Sequence, residues 1–183
     1  MQRIQRIDET QAPANTAALL AGVRRQMGGV PHIVATMARS PAALAGFLGF
    51  AGPLAAGTLS AALREQIALA VAGANRCDYC ASVHTALGGK HGVAGDELAR
   101  NLEGRSSDPK VEAALRFVSR IVATRGQVSD EDLASVRRAE FSDEAIVELV
   151  AHTALNLFTN YFNHVADTEI DFPVVSTGAL AAA

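Results

Sequence analysis

The sequence predicts an all-α protein, a single helical domain of about seven to nine helices, and three observations support this fold class. Apolar residues recur at intervals of three and four positions, as they do from Val111 through Leu115 and Val118 to Val122. Capping residues, prolines and glycines bound such segments at short intervals. No segment of useful length alternates between apolar and polar residues, so no strand is predicted.

The predicted helices begin at polar caps, often followed by proline, and end at glycines or prolines. They span about residues 16–27, 31–39, 41–52, 60–74, 77–87, 94–102, 109–124, 130–141 and 143–165. An arm at residues 1–13 precedes the helical domain, 14–173, and an Ala-rich segment, 174–183, is expected to be a loose tail. No linker or internal repeat divides the domain.

One predicted helix, residues 60–74, differs from the others because its run from Ile67 to Ala72 is apolar all round. A helix that is apolar on every side is buried on every side. Glu65 stands just ahead of this run, where a merely solvated carboxylate is hard to explain. We therefore expect this helix at the centre of the fold, with a functional role for Glu65.

Composition narrows the classes of function. The net charge of −3 gives no electrostatic basis for binding nucleic acid or an anionic membrane. No apolar run approaches the roughly 18 residues that span a bilayer, and the polar N-terminus lacks the apolar core of a signal peptide. Aromatic residues are only 5% of the chain, so we expect some apolar helix faces to be buried between subunits. A cytoplasmic homo-oligomer is the expectation.

The chain has two cysteines, Cys77 and Cys80, and they form a Cys-x-x-Cys pair. In a reducing compartment such a pair is typical of redox or metal chemistry rather than of a structural disulfide. Cys77, Cys80 and His84 share one helix face because they are spaced at i, i+3 and i+7. His84 lies one turn from Cys80 and about 10 Å from Cys77, so the imidazole can assist Cys80 more easily.

Glu65 precedes Cys77 by twelve positions, about 18 Å along a straight helix. The segment Gly73-Ala74-Asn75 permits a chain reversal that returns Glu65 to the cysteines. A carboxylate beside His84 could then orient the ring and carry a proton. The four residues together predict a thiol site with an acid–base relay.

The pattern Glu65-x11-Cys77-x2-Cys80-x3-His84 resembles the alkylhydroperoxidase D-like, peroxidase-related branch of the carboxymuconolactone decarboxylase superfamily. The segment 157–173, LFTNYFNHVADTEIDFP, is also similar to one common in the branch. The chain departs from the family pattern at Tyr79, where the best-known members carry a second histidine.

The resemblance implies an all-helical fold that forms homotrimers or homohexamers and reduces organic hydroperoxides or hydrogen peroxide. If the roles of the family's motif residues apply at the matching positions, Cys80 is the peroxidatic thiol and Cys77 is the resolving thiol. Glu65 and His84 then form the proton relay. An external dithiol or thiol-protein would supply the electrons. No signature for a flavin, haem or nicotinamide cofactor is found, and no metal is expected.

Other interpretations remain open at this stage. The cysteines could instead belong to a non-catalytic, redox-sensing oligomer whose Cys77–Cys80 disulfide forms and breaks, or to a zinc site completed by His84 and His91. Glu65 could pair with a local cation such as Arg64. Side chains of the last helix are expected to form interface hydrogen bonds or to line a pocket; they are His152, Asn156, Asn160, Tyr161, Asn163 and His164.

Overall fold

The computed structural model of the protein describes residues 2–178. Within that range the chain forms nine α-helices and no strand, which confirms the predicted all-α class. The helices are α1 (Ala14–Met27), α2 (His32–Met37), α3 (Pro41–Leu54), α4 (Ala61–Asn75), α5 (Asp78–Lys90), α6 (Gly95–Leu102), α7 (Pro109–Thr124), α8 (Asp130–Arg138) and α9 (Asp143–Ala166). A short 3-10 helix, Glu9–Gln11, precedes α1.

Helix α4 lies at the centre of the fold and contacts α5, α6, α7 and α9. Its residues from Gln66 to Ala72 are all buried, as the apolar run predicted. Toward α7 and α9, Ile67 and Val71 join a large apolar cluster. On its other side Leu69 and Ala72 join a second cluster, which includes both cysteines. The central helix therefore connects the apolar core to the thiol pair.

The predicted reversal is present but lies directly after the segment Gly73-Ala74-Asn75, because α4 continues through Asn75 and its C-cap residue is Arg76. Arg76 adopts the left-handed conformation with φ 55°, and this residue produces the reversal into α5. Gly73 has a different role, since a Cβ added there would lie 1.8 Å from the carbonyl oxygen of Leu102. The glycine lets the end of α6 pack against α4.

Helices α3 and α5 both extend beyond the ends that the sequence predicted. α3 continues to Leu54 with Pro53 in its last turn, where a missing N–H costs at most one helical hydrogen bond. α5 continues through Gly88 to Lys90. A Cβ on Gly88 would lie 2.6 Å from a methyl group of Leu98. This glycine, like Gly73, marks a close contact with α6 rather than a helix end.

Both terminal segments contact the helical domain. In the arm, the Ile7 N–H donates to the Ala35 carbonyl. The predicted loose tail is not loose in its described part, 174–178, because the Thr177 N–H and hydroxyl both donate to Asp78 Oδ1. Residues 179–183 lie outside the described residues. The proposed division at residues 13 and 173 stays a prediction. No described helix is long and apolar enough to cross a membrane.

Candidate active site

The antiparallel pair α4–α5 brings Glu65 to His84. The reversal at Arg76 lies between them in the chain, so the two side chains face each other across the helix pair. His84 Nδ1 donates to Glu65 Oε2 at 2.7 Å, and this confirms the predicted convergence of the two residues. Because Nδ1 holds the proton shared with the carboxylate, the lone pair of Nε2 is free to act as a base.

The two cysteines lie at the start of α5. Cys77 is the N-cap residue, and its sulfur accepts the Cys80 backbone N–H at 3.4 Å. The side chains are free thiols whose sulfur atoms are 2.6 Å apart. Both residues are almost inaccessible, with 2% of Cys77 and 1% of Cys80 exposed. The pair is therefore buried in the protein and already adjacent in its reduced form.

The surroundings of the two thiols affect their ionisation in opposite directions. The hydrogen bond from the Cys80 thiol lowers the pKa of Cys77, and the N-terminus of α5 favours negative charge at the same sulfur. Burial is the main factor that raises the pKa of Cys80. In the reduced pair, a single negative charge is therefore more stable on Cys77, and Cys80 needs a nearby base to lose its proton.

Helix α9 contributes a contact to Cys80 that the sequence did not assign. Asn163 Nδ2 donates to Cys80 Sγ at 3.2 Å, and only 4% of Asn163 is exposed. One turn earlier Asn160 is fully buried, and its Oδ1 accepts a hydrogen bond from Asn75 Nδ2 at 3.1 Å. A buried carboxamide on an apolar helix face needs a partner, which is the one signal in the sequence for this contact.

Tyr79, at the position of the family's second histidine, connects different parts of the fold. Its hydroxyl donates to Asp171 Oδ1 at 2.8 Å and accepts the Ile33 N–H at 3.2 Å. Its ring makes an edge contact with Phe172, and burial raises the pKa of Tyr79 well above its ordinary value. Tyr79 therefore joins α5 to α2 and the C-terminal segment, and it remains protonated.

The other histidines are not gathered at the thiols. His152 is buried on α9, where burial and the charge of Arg64 lower the pKa of its imidazole. His164 and His91 are exposed. Across residues 2–178 no three side chains of the metal-binding types converge, so the alternative zinc site with Cys77 and His91 is not assembled.

Comparison with known proteins gives a family match over part of the chain and a fold for almost all of it. Residues 41–122, which include all four motif residues, match the model of the carboxymuconolactone decarboxylase family. No curated protein matches the chain.

Three solved structures are similar over almost the whole chain. A peroxidase-related protein with an alkylhydroperoxidase AhpD core, from Ralstonia eutropha JMP134, has 24% identity over 93% of this chain and 92% of its own, with a TM-score of 0.83. A peroxidase-related protein from Silicibacter sp. TM1040 has 19% identity over 91% and 88%, with a TM-score of 0.79. The debrominase Bmp8 in complex with 2,3,4-tribromopyrrole has 22% identity over 92% and 91%, with a TM-score of 0.78.

At these identities the likeness shows a shared fold. The family match and the fold agree with the assignment expected from the cysteine–histidine pattern. The chain therefore matches the carboxymuconolactone decarboxylase family over residues 41–122 and has the alkylhydroperoxidase D-like fold.

Proposed function

We propose that the protein is a thiol-dependent peroxidase that reduces organic hydroperoxides or hydrogen peroxide. The observation that supports the proposal is the hydrogen bond between Glu65 and His84. His84 lies one helical turn after Cys80, which belongs to a buried pair of adjacent thiols. A base held by a carboxylate, one turn from a thiol, is the arrangement that activates a cysteine nucleophile. The similar structures from Ralstonia and Silicibacter are both described as peroxidase-related proteins, which supports this proposal.

The first chemical step uses Cys80. His84 Nε2 removes the Cys80 thiol proton, and Glu65 stabilises the imidazolium that forms. The Cys80 thiolate attacks one oxygen of the hydroperoxide, so an S–O bond forms while the O–O bond breaks. Sulfur is oxidised to a sulfenic acid, and the leaving alkoxide takes the proton from His84 and departs as an alcohol.

The second step uses Cys77. Its thiolate attacks the sulfur of the Cys80 sulfenic acid, a disulfide forms, and hydroxide leaves as water after taking up a proton. The two sulfurs are already 2.6 Å apart, so the bond needs little movement of the backbone. The hydrogen bond from Cys80 lowers the pKa of Cys77, which suits this role because Cys77 attacks as a thiolate. An external dithiol or thiol-protein, such as the cytoplasm supplies, then reduces the disulfide.

We further propose that the protein forms a homotrimer or homohexamer. α3 has no charged side chain, and Leu44 is its single fully buried residue. The outer face of α9 exposes a row of large apolar side chains, Val147, Val150, Phe158, Tyr161 and Val165. Phe47 and Phe158 join the two faces, with ring centroids 6.3 Å apart. A surface of this kind is typical of an interface between subunits, and sedimentation velocity would measure the subunit count.

A non-catalytic redox sensor is the second candidate, because the exposed apolar surface could couple a Cys77–Cys80 disulfide to assembly. It predicts disulfide formation that changes the sedimentation coefficient, without catalytic turnover of peroxide. Turnover at an unchanged subunit count would exclude it.

The decisive experiment for the peroxidase is a stopped-flow assay of the reduced protein with hydrogen peroxide and with cumene hydroperoxide. We expect one peroxide consumed per protein chain in the absence of reductant, with a Cys77–Cys80 disulfide detected by mass analysis, and continued turnover with added dithiol. An unreacted thiol pair after exposure to both peroxides would refute the proposal. Tribromopyrrole serves as a comparison substrate, because one similar structure is that of a debrominase in complex with 2,3,4-tribromopyrrole.

A further inference from the structure

Two carboxamides of α9 lie beside the Cys80 sulfur and do not complete their hydrogen bonds. Asn163 donates through Nδ2 to Cys80, while its Oδ1 is buried without a partner. Asn160 accepts through Oδ1 from Asn75, while its Nδ2 is buried without a partner. The same Nδ2 lies near enough to Cys80 to lower the pKa of its thiol, although it makes no hydrogen bond of full geometry there. One free acceptor and one free donor thus lie at the proposed nucleophile.

An unpaired buried polar atom costs about 1–3 kcal/mol, so two in one place need an explanation. The third buried carboxamide on this face, Asn156, lacks this feature because its Nδ2 donates to the His152 carbonyl of its own helix at 2.8 Å. Among the three buried asparagines of α9, the incomplete pairing is therefore confined to the two that lie beside Cys80.

A hydroperoxide has the complementary groups, one O–H donor and two adjacent oxygen acceptors. We propose that Asn160 and Asn163 form a binding cradle for the hydroperoxide at Cys80. Asn163 Oδ1 accepts the peroxide O–H, and Asn160 Nδ2 donates to a peroxide oxygen. The inference rests on the proposed peroxidase function and adds two catalytic residues to it.

The cradle acts in the same step as the thiolate. Asn163 Nδ2 stabilises negative charge on Cys80 before the attack. As the S–O bond forms and the O–O bond breaks, Asn160 Nδ2 stabilises the charge that develops on the oxygen it contacts. The electron balance is that of the peroxidase step, in which sulfur is oxidised to the sulfenic acid and the peroxide is reduced to alcohol or water. The proton for the leaving oxygen still comes from His84.

The test uses the Cys77→Ser protein, in which Cys80 reacts alone and the sulfenic acid is trapped with dimedone. Asn160→Leu and Asn163→Leu are introduced separately, and Asn156→Leu is the matched control on the same helix face. Two rates are measured across pH, alkylation of Cys80 by iodoacetamide and sulfenic acid formation with hydrogen peroxide. Alkylation reports the thiolate alone, whereas the peroxide reaction also needs the cradle.

We expect Asn163→Leu to shift the alkylation profile to higher pH and Asn160→Leu to shift it less. At a pH where Cys80 is fully ionised, both variants should react with peroxide at least about tenfold more slowly than the parent, the loss typical of a transition-state hydrogen bond. Asn156→Leu should change neither rate. If the Leu variants do not fold by circular dichroism, Asn160→Ser and Asn163→Ser replace them.

Two results would overturn the cradle while leaving the peroxidase in place. One is a peroxide rate that falls only in proportion to the thiolate fraction, and the other is an equal loss in Asn156→Leu. If the parent forms no sulfenic acid with peroxide, the proposed function fails and the cradle fails with it. A tenfold loss confined to Asn160→Leu and Asn163→Leu supports both.

Discussion

The two sides of α4 differ in how they are packed. Toward α7 and α9, Ile67 and Val71 contact large apolar side chains such as Val118 and Leu149 in a continuous core. On the side of α5 and α6, Leu69 and Ala72 pack in a smaller cluster that includes both cysteines, and glycines at two positions leave no room for a Cβ. The first side holds the larger apolar cluster, and the second brings helix backbones close together around the buried thiols.

This difference predicts that stability and chemistry can be altered separately. Large apolar side chains stabilise the fold through the area and contacts that they bury. The thiol side depends on the positions of a few polar atoms, where an error of 1 Å lowers the rate by about a hundredfold. Substitutions on the apolar side should therefore change stability with little effect on thiol reactivity, and substitutions of the polar groups at the thiols should do the reverse.

The largest effect is expected from the thiols themselves. Cys80→Ser should abolish peroxide turnover, because the hydroxyl of serine is far less nucleophilic than a thiolate. Cys77→Ser should leave a single sulfenic acid per chain and no catalytic cycle. Stopped-flow kinetics with mass analysis measures both outcomes. Full turnover by Cys80→Ser would contradict the assigned roles, and neither change should move the urea midpoint by much.

The next largest effect is expected from the relay. Glu65→Gln removes the carboxylate that orients His84, and we expect the rate of Cys80 oxidation to fall by about 10²-fold or more. Glu148→Gln is the matched control, since this carboxylate accepts hydrogen bonds from Thr58 and Leu59 away from the thiols. Glu148→Gln should lower the free energy of unfolding somewhat and leave the rate of Cys80 oxidation unchanged. An equal loss of rate in both would mean that Glu65 acts through the fold.

A smaller effect separates the two sides of α4 directly. Gly73→Ala forces a Cβ against the Leu102 carbonyl, which should cost about 1–3 kcal/mol in the free energy of unfolding and slow disulfide formation. Ile67→Val removes one methylene from the opposite side and should cost about 1 kcal/mol with unchanged thiol reactivity. Urea unfolding and thiol alkylation measure the two properties. If Gly73→Ala and Ile67→Val changed the alkylation rate equally, the two sides of α4 would not differ in their influence on the thiols.

Local rules predicted much of this molecule from its sequence. Capping residues and periodicity identified the helices, and the spacing on α5 placed Cys80 near His84. The glycines were misread, because Gly73 and Gly88 serve close contacts with a helix whose position no local rule supplies. The Asn163 contact to Cys80 joins residues 83 positions apart. Such a contact depends on how α9 packs, and periodicity indicates only that a buried polar group needs some partner.

The smallest effect concerns the support of α6, which covers the thiol side. Partial burial disfavours the charge of Glu97, but hydrogen bonds from Ser106, Ser107 and Asn101 outweigh it and lower the pKa of this carboxyl to about 2. Because the folded pKa is lower than the unfolded one, this stabilisation is present above about pH 4.5 and is lost as the pH falls toward 2.

Glu97→Gln should therefore be less stable than the parent at pH 7 and lose less stability between pH 5 and pH 2. The difference is on the order of 1 kcal/mol, because solvent screens a partly exposed carboxylate. Ser106→Ala, which removes one donor, should give an intermediate pH dependence. Urea unfolding at several pH values measures each variant. If the parent and Glu97→Gln lose stability in parallel on acidification, the hydrogen bonds of Glu97 do not stabilise the α6 side.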